Sequence, residues 1–276
     1  MSTQSSTQTG YAPVENGSLY YEVTGEGPAL LFIHAGVADH TMWEPQVDFF
    51  SPTHKVITYD TRGFGISRTE NTPFSNRQDI FDLLNHIGVD RATLIGNSRG
   101  GQIALDTALE FPVISSGLVW ICGGVSGADF PPTEAEMAWF GRMEALWEAK
   151  DWDALSDYET LTWANGIGQP EDRAPAALRT KLREMIYSNN TRVDGEAEAR
   201  VLDPPAAARI KELTIPTLVV VGDRDASSTI ASADYLAAEV PQARKVVFEN
   251  VAHMVSMEKP EDFNALLQDF LTNSGL

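Results

Sequence analysis

The sequence predicts an α/β fold in which a largely parallel β-sheet is covered by helices on both faces. Short apolar runs with the length of buried strands alternate along the chain with segments whose apolar residues have helical spacing. These runs lie at residues 29–33, 55–59, 93–95, 117–122, 217–221 and 244–248. In a sheet of this kind ligands bind beyond the carboxyl ends of the strands, so the loops there are the first place to look for function.

The segment 92–105 is the centre of this pattern and is predicted to form a strand, a sharp turn and a helix. Its turn, residues 96–100 (GNSRG), has the form G-x-S-x-G. In such a turn glycines flank a serine that is held in a strained conformation with neighbouring backbone very close. The five-residue pattern alone is weakly specific, but the strand before it and the helix after it supply the required context. We therefore expect the hydroxyl of Ser98 to stand clear of the sheet.

The alternation is interrupted from about residue 126 to residue 212, where the spacing is helical and no buried strand is evident. The sequence thus predicts one α/β core, formed by residues 1–125 and 213–276, with residues 126–212 inserted as a helical cap. Residues 1–10 are predicted to be a disordered tail. Four of the six tryptophans lie in the cap, where they could wall a small-molecule pocket. Trp139 and Trp163 are the candidate substrate-binding residues.

Charge and cysteine content exclude several classes of function. A formal net charge of −19 would repel nucleic acid and anionic membranes. No apolar stretch approaches the roughly 20 residues that span a bilayer, and the first residues lack the pattern of a secretion signal. Cys122 is the only cysteine, and the histidines have no ligand spacing, so neither a disulfide nor a metal or other cofactor is predicted. The sequence predicts a cytoplasmic protein that acts on a small molecule, and it leaves the oligomeric state open.

A serine hydroxyl is a poor nucleophile at neutral pH. It needs a base to accept its proton, a carboxylate to orient that base and donors for the oxyanion. His253 follows the last predicted strand, and Asp225 follows the strand before it. The order Ser98, Asp225, His253 is the chain order expected for a triad built on this type of turn.

Taken together, these segments resemble the α/β-hydrolase family over about residues 18–271. The resemblance rests on the serine turn and on further segments in fixed order at residues 34–36 (HAG), 60–67 (DTRGFGIS), 222–225 (GDRD) and 252–261 (AHMVSMEKPE). It implies an α/β-hydrolase fold with a mostly parallel, eight-stranded sheet. It further implies that Ser98 is the nucleophile, His253 the general base and acid, and Asp225 the orienting carboxylate. Asp223 is the alternative carboxylate.

The resemblance also implies an oxyanion hole made of two backbone amides. The amide of Arg99, directly after the nucleophile, is one donor, and that of Gly36 is the second. Because Ala35 stands where the family commonly has glycine, the amide of Val37 is the alternative second donor. An arginine after the nucleophile is unusual for the family, and its side chain either pairs with a carboxylate of the protein or binds an acidic group of the substrate. His34 is expected to be structural.

The sequence therefore predicts a serine hydrolase that cleaves a carboxylic ester of a small, largely apolar substrate through an acyl-enzyme. Residues 42–46 and 60–63 are similar to those of enol-lactone hydrolases, so a lactone is the first alternative substrate. Residues 96–98 are similar to those of carbon–carbon bond hydrolases, although Met254 stands where these commonly carry tryptophan. A cofactor-free perhydrolase and a non-enzymatic small-molecule receptor are further alternatives.

Overall fold

One β-sheet organises the chain. The computed structural model describes residues 6–192 and 197–276, and within them nine strands belong to this sheet. The strands are β1 (Thr7–Val14), β2 (Gly17–Thr24), β3 (Ala29–Ile33), β4 (Lys55–Tyr59), β5 (Arg68–Thr69), β6 (Ala92–Asn97), β7 (Ser115–Ile121), β8 (Thr217–Gly222) and β9 (Ala243–Phe248).

The strand order is β1-β2-β4-β3-β6-β7-β8-β9, and the two-residue strand β5 pairs with β2 beside this path. The six strands from β4 to β9 along the path are parallel, whereas β1 and β2 form an antiparallel hairpin and β2 runs antiparallel to β4. The predicted mostly parallel sheet is confirmed, and the main path has the predicted eight strands. Because the parallel strands share a direction, their carboxyl ends meet at one edge of the sheet.

The first residues differ from the prediction of a disordered tail over residues 1–10. Strand β1 begins at Thr7, and residues 7–10 pair with β2 so that Thr7 lies opposite Thr24 and Gly10 opposite Tyr21. These residues are mostly exposed and carry no buried apolar pattern, so the backbone ladder with β2 holds them in place. A sequence pattern reports burial and cannot report such pairing. Residues 1–5 of that prediction lie outside the described part of the chain.

The helices connect the parallel strands and cover the sheet. They are α1 (Glu44–Phe50), α2 (Asn76–His86), α3 (Arg99–Glu110), α4 (Glu134–Glu148), α5 (Trp152–Thr160), α6 (Ala176–Asn190), α7 (Ala206–Arg209), α8 (Ser227–Glu239), α9 (Val255–Glu258) and α10 (Pro260–Ser274). Helix α3 packs on β6 and β7, and α8 packs on β8 and β9. Every residue of β6 and β8 is buried, which explains why short apolar runs mark these strands in the sequence.

Helices α4 to α7 lie between β7 and β8, where the cap is predicted. Helix α5 packs against both α4 and α6, and a π-helical turn at Leu161–Asn165 continues α5. The short helix α7 packs against α3, so the chain has returned to the sheet layer by Ala206. We refer to residues 126–205 as the helical insertion; the domain boundaries given above stay a prediction.

Candidate active site

Ser98 occupies the sharp turn between β6 and α3. Its backbone has φ 59° and ψ −122°, a left-handed conformation that is strained for a residue with a side chain. Two glycines make the turn possible. A Cβ atom on Gly96 would lie 2.1 Å from the carbonyl oxygen of Gly100, and one on Gly100 would lie 2.2 Å from that of Ile33. The glycines of the G-x-S-x-G pattern are therefore required by close backbone packing.

His253 and Asp225 form a buried pair beside this turn. Nδ1 of His253 lies 2.9 and 2.8 Å from the two carboxylate oxygens of Asp225, and the two side chains are only 5% and 2% exposed. Asp225 follows β8 and His253 follows β9, so both come from the carboxyl edge of the sheet. With Nδ1–H donated to the carboxylate, Nε2 is left as the nitrogen that can accept a proton.

Asp223, the alternative carboxylate, is placed differently. Its oxygen accepts the backbone N–H of Val251 at 3.3 Å and lies 3.7 Å from Nε of Arg224. Asp223 thus holds the loop after β9 against the loop after β8, and it is Asp225 that contacts the histidine. The structure brings the predicted carboxylate and base together.

A thiol lies next to the same pair, which sequence reasoning did not anticipate. The Cys122 sulfur, the Asp225 carboxylate and a ring nitrogen of His253 lie within 4.8 Å of one another. Burial, and the adjacent Asp225 carboxylate, raise the pKa of the thiol well above its usual value, so the sulfur stays protonated. Cys122 is buried, as the sequence predicts, and its thiol lies beside the Asp225 carboxylate.

The turn after β3 faces the N-terminus of α3, as an oxyanion hole requires. A Cβ on Gly36 would lie 3.5 Å from Cβ and Cδ of Arg99, so the two residues are in van der Waals reach. His34 anchors this turn: its Nδ1 lies 2.7 Å from the Ala35 carbonyl, and its Nε2 accepts the N–H of Thr61 at 3.0 Å. Burial lowers the pKa of His34 to about 4, so the ring is neutral and structural. The amide of Arg99 begins α3, where N–H groups have no partner within the helix.

The side chain of Arg99 has only neutral partners among the described residues. One guanidinium nitrogen donates to Thr61 Oγ1 at 2.7 Å and another to Asn76 Oδ1 at 3.4 Å, and the group lies 4.7 Å from the centre of the Phe64 ring. Burial lowers its pKa to about 10. The sequence leaves two interpretations of the Arg99 side chain open. Within the described residues no carboxylate of the protein pairs with it, so the interpretation as an internal ion pair is wrong there.

A cavity of about 550 Å³ contains both Ser98 and His253 on its wall. Trp163 lines it from the helical insertion, and its ring centre lies 4.7 Å from that of His253. Trp139, by contrast, does not line this cavity: its Nε1–H donates to Thr162 Oγ1 at 2.8 Å, and its ring stacks on Tyr158. The structure thus brings Trp163 to the candidate site and leaves Trp139 within the insertion.

Two cavity-lining aromatic residues escaped sequence reasoning, Phe130 and Phe140. Phe140 stacks on Trp163 with ring centres 6.3 Å apart. In the sequence Phe140 stands directly beside Trp139, and only the rotation of α4 decides which of the two faces the cavity. No pattern within the helix signals this choice.

Two polar contacts fasten the helical insertion to the loops that carry Asp225 and His253. Glu136 on α4 accepts the backbone N–H of Ser227 at 2.6 Å and also its hydroxyl, two residues after Asp225. Arg173, before α6, donates to both oxygens of Glu258 at 2.6 and 2.9 Å, and Glu258 in turn accepts the N–H of Ala252 at 3.2 Å. The insertion is therefore connected both to the segment after Asp225 and to the segment after His253.

The sheet order, the serine turn and the histidine–carboxylate pair define a hydrolytic enzyme of one fold family. A family profile described as the alpha/beta hydrolase fold matches residues 28–260. The chain belongs to the α/β-hydrolase family. The prediction that it is a hydrolase acting on ester bonds is confirmed as a class of enzyme. Among the described residues, no helix combines the length and the apolar character needed to cross a membrane.

Known relatives cover nearly the whole chain. It is 27% identical over 253 residues to 3-oxoadipate enol-lactonase 1 of Acinetobacter baylyi, and the aligned region covers 88% of each protein. It is 25% identical to 2-hydroxy-6-oxo-6-phenylhexa-2,4-dienoate hydrolase of Comamonas testosteroni, covering 92% of this chain and 91% of that protein. Among solved structures, a thermophilic esterase of Thermogutta terrifontis aligns with a TM-score of 0.77 at 24% identity, over 97% of this chain and 99% of that one.

Proposed function

We propose that this protein is a serine hydrolase of small carboxylic esters that works through an acyl-enzyme. The observation that carries the proposal is the buried His253–Asp225 pair, which opens into the same cavity as the strained Ser98 turn. A carboxylate bound at Nδ1 fixes the tautomer of the imidazole and stabilises the imidazolium that forms when Nε2 takes a proton. This arrangement activates a serine hydroxyl that is otherwise inert at neutral pH.

The reaction proceeds in two half-reactions. Ser98 Oγ attacks the carbonyl carbon of the ester while Nε2 of His253 removes its proton, which gives a tetrahedral intermediate. Collapse of the intermediate breaks the bond to the alkoxide, which takes the proton from His253 and leaves as alcohol. Water then attacks the acyl-enzyme, with His253 again accepting and returning the proton, and the acid is released.

The negative oxygen of both intermediates needs preorganised donors. The backbone N–H of Arg99 and that of Gly36 fill this role in the proposed mechanism, with the N–H of Val37 as the alternative to Gly36. Removing a single donor of this kind lowers turnover by about 10²- to 10³-fold in a serine protease, so the contribution is large. Trp163 and Phe140 exclude water from one side of the cavity, which strengthens these electrostatic contacts.

Turnover of short-chain p-nitrophenyl esters by single and double variants tests the proposal. We expect Ser98→Ala and His253→Ala each to lower kcat by at least about 10⁴-fold, and the double variant to lose little more, because the two residues act as one unit. His86→Ala, at an exposed position on α2, is the matched control and keeps wild-type turnover. Losses that multiply in the double variant, or a Ser98→Ala enzyme that still turns over, would refute the assignment.

A lactone is the second candidate substrate, because two enol-lactonases of Acinetobacter baylyi are 27% and 26% identical to this chain. Opening a lactone ring uses the same acyl-enzyme chemistry, except that the leaving alcohol stays attached to the acyl group. Comparing kcat/KM for lactones with that for acyclic esters of equal acyl length separates the two. A consistent preference for the lactone at every chain length would assign the second candidate, and a preference for the acyclic ester would exclude it.

A further inference from the structure

The buried and partly buried arginines of this chain differ in how their charge is compensated. Arg62 donates twice to Asp79, with both distances 2.8 Å, and Arg173 donates to both oxygens of Glu258. Arg77 pairs with Glu110. Arg99 is the exception, since within residues 6–192 and 197–276 no carboxylate lies within ion-pair distance of it.

The contacts of Arg99 leave much of its binding capacity unused. A guanidinium has five N–H groups in a planar fork that suits the two oxygens of a carboxylate. Here two nitrogens donate to neutral oxygens of Thr61 and Asn76, and the ring of Phe64 covers one face. A partly buried cation without an anion is unfavourable, and the lowered pKa of Arg99 reflects this. Such a charge is expected where an anion binds.

The position of Arg99 links it to the nucleophile. Arg99 and Gln102 line the cavity that contains Ser98, and both also line a smaller adjoining cavity of about 140 Å³. The smaller cavity, which we call the side pocket, is further lined by Asn76, Arg77, Ile103, Asp106 and Arg200.

The charges around the side pocket favour an anion. Arg77 is neutralised by Glu110, which leaves Arg99 and Arg200 against the one carboxylate of Asp106. Asp106 accepts a hydrogen bond from the Ser126 hydroxyl at 2.8 Å. Burial raises the pKa of its carboxyl group, which disfavours the charged form that would neutralise a nearby cation. The local balance is positive although the whole chain carries −19.

We propose that Arg99 binds a carboxylate of the substrate, so that the preferred substrates are half-esters or lactones derived from small dicarboxylic acids. This inference rests on the function proposed above, with the scissile carbonyl at Ser98. Three methylene groups separate the guanidinium of Arg99 from its backbone, which follows directly after Ser98. A substrate whose scissile carbonyl lies at Ser98 must therefore carry its carboxylate several bonds away from that carbonyl to reach the guanidinium. One chain length should therefore fit best.

The test compares charged and neutral substrates in matched pairs. Monomethyl succinate, glutarate and adipate are each compared with a neutral methyl ester of equal length, and the readout is the acid-to-neutral ratio of kcat/KM. We expect the wild-type ratio to exceed 1 at one chain length and to fall about 10- to 100-fold in Arg99→Met, as loss of a charged hydrogen bond implies. Arg99→Lys should restore part of the ratio, since it keeps the charge and loses the fork.

Arg142→Met is the control for removal of a positive charge. Arg142 lies on the exposed face of α4 over the ring of Tyr158, away from both cavities, so the ratio should stay at the wild-type value. An Arg99→Met enzyme with the wild-type ratio would overturn the proposal and would leave Arg99 as a residue that only holds α3 against Thr61 and Asn76.

A binding measurement on the wild-type enzyme keeps the proposal testable if the Arg99→Met variant does not fold. In the wild-type enzyme, competitive inhibition by glutarate and adipate is compared with inhibition by the corresponding neutral diamides. Stronger inhibition by the dicarboxylates supports the proposal, and equal inhibition overturns it. An enzyme that hydrolyses neutral esters without preferring acidic ones refutes only this inference. An enzyme that hydrolyses no ester or lactone refutes the proposed function itself.

Discussion

At the scale of single residues, the backbone decides which of two neighbouring carboxylates reaches the histidine. Asp223 turns toward the backbone of Val251, whereas Asp225 meets Nδ1 of His253 at 2.8 Å. Asp225 also accepts the N–H of Ala226 at 2.7 Å, which fixes its carboxylate at the start of α8. A shift of two residues along the loop thus separates a structural role from a candidate catalytic one.

Replacing the two carboxylates separately should have unequal effects. We expect Asp225→Asn to lower kcat by roughly 10⁴-fold, the effect of the corresponding change in serine proteases, because an amide stabilises the wrong tautomer of the histidine. Asp223→Asn keeps a hydrogen-bond acceptor for Val251 and should stay within about tenfold of the wild type. Steady-state turnover of a p-nitrophenyl ester measures both. The opposite order of damage would transfer the orienting role to Asp223.

The two tryptophans selected from the sequence illustrate what a sequence cannot decide. Trp139 and Trp163 both lie on helical turns of the insertion, and the sequence predicts both as substrate-binding residues. The rotation of each helix depends on contacts with distant segments, and it places only Trp163 beside His253. Ser98, Asp225 and His253 were recognisable because each follows a strand in a fixed chain order.

Alanine substitutions should separate the two tryptophans. Trp163→Ala removes a wall of the cavity and should change the ranking of kcat/KM among p-nitrophenyl esters of increasing acyl length. Trp139→Ala removes a ring that packs inside the insertion, so it should lower the melting temperature and leave the ranking as it is. An unchanged ranking in Trp163→Ala would mean that other residues select the acyl chain.

At the scale of secondary-structure elements, helix α4 is both capped and fastened by Glu136. The Glu136 carboxylate accepts the N–H of Thr133 at 2.7 Å in a capping box and also the N–H of Ser227 at the start of α8. These hydrogen bonds hold the pKa of Glu136 at about 2, against an ordinary value of 4.5. One carboxylate therefore stabilises two helix N-termini, one in the insertion and one next to Asp225.

The lowered pKa gives a pH dependence of stability with a defined sign. A carboxyl group whose pKa is lower in the folded state stabilises the fold above its unfolded pKa, and this stabilisation is lost as the pH falls toward the folded value. We expect Glu136→Gln to melt below the wild type at pH 7, and the difference to shrink from about pH 4.5 toward pH 2. Glu134→Gln, in the exposed first turn of the same helix, is the control. A difference that is constant over this range would contradict the assignment.

At the scale of the whole molecule, the central parallel strands predicted from the sequence are buried on both faces, whereas the predicted strand at residues 244–248 is the edge strand β9, which has no fully buried residue. Central parallel strands such as β6 and β8 are buried on both faces and therefore contain short apolar runs that the sequence shows directly. The edge strand β1 is mostly exposed and is held by pairing with β2, so the sequence predicts a disordered tail where its first residues lie. The contacts of Arg173 with Glu258 and of Glu136 with Ser227 join segments 85 and 91 residues apart, and no local pattern encodes them.

The central claim is that Ser98 forms the covalent intermediate, and mass spectrometry of the enzyme treated with a fluorophosphonate tests it most directly. Trypsin releases residues 92–99 (ATLIGNSR) as a peptide in which Ser98 is the only serine. We predict that this peptide carries the phosphonyl group, that hydrolysis of esters stops in proportion to labelling, and that Ser98→Ala prevents both, because only an activated serine attacks the reagent. A label on another peptide, or full ester hydrolysis with residues 92–99 unlabelled, would contradict the claim.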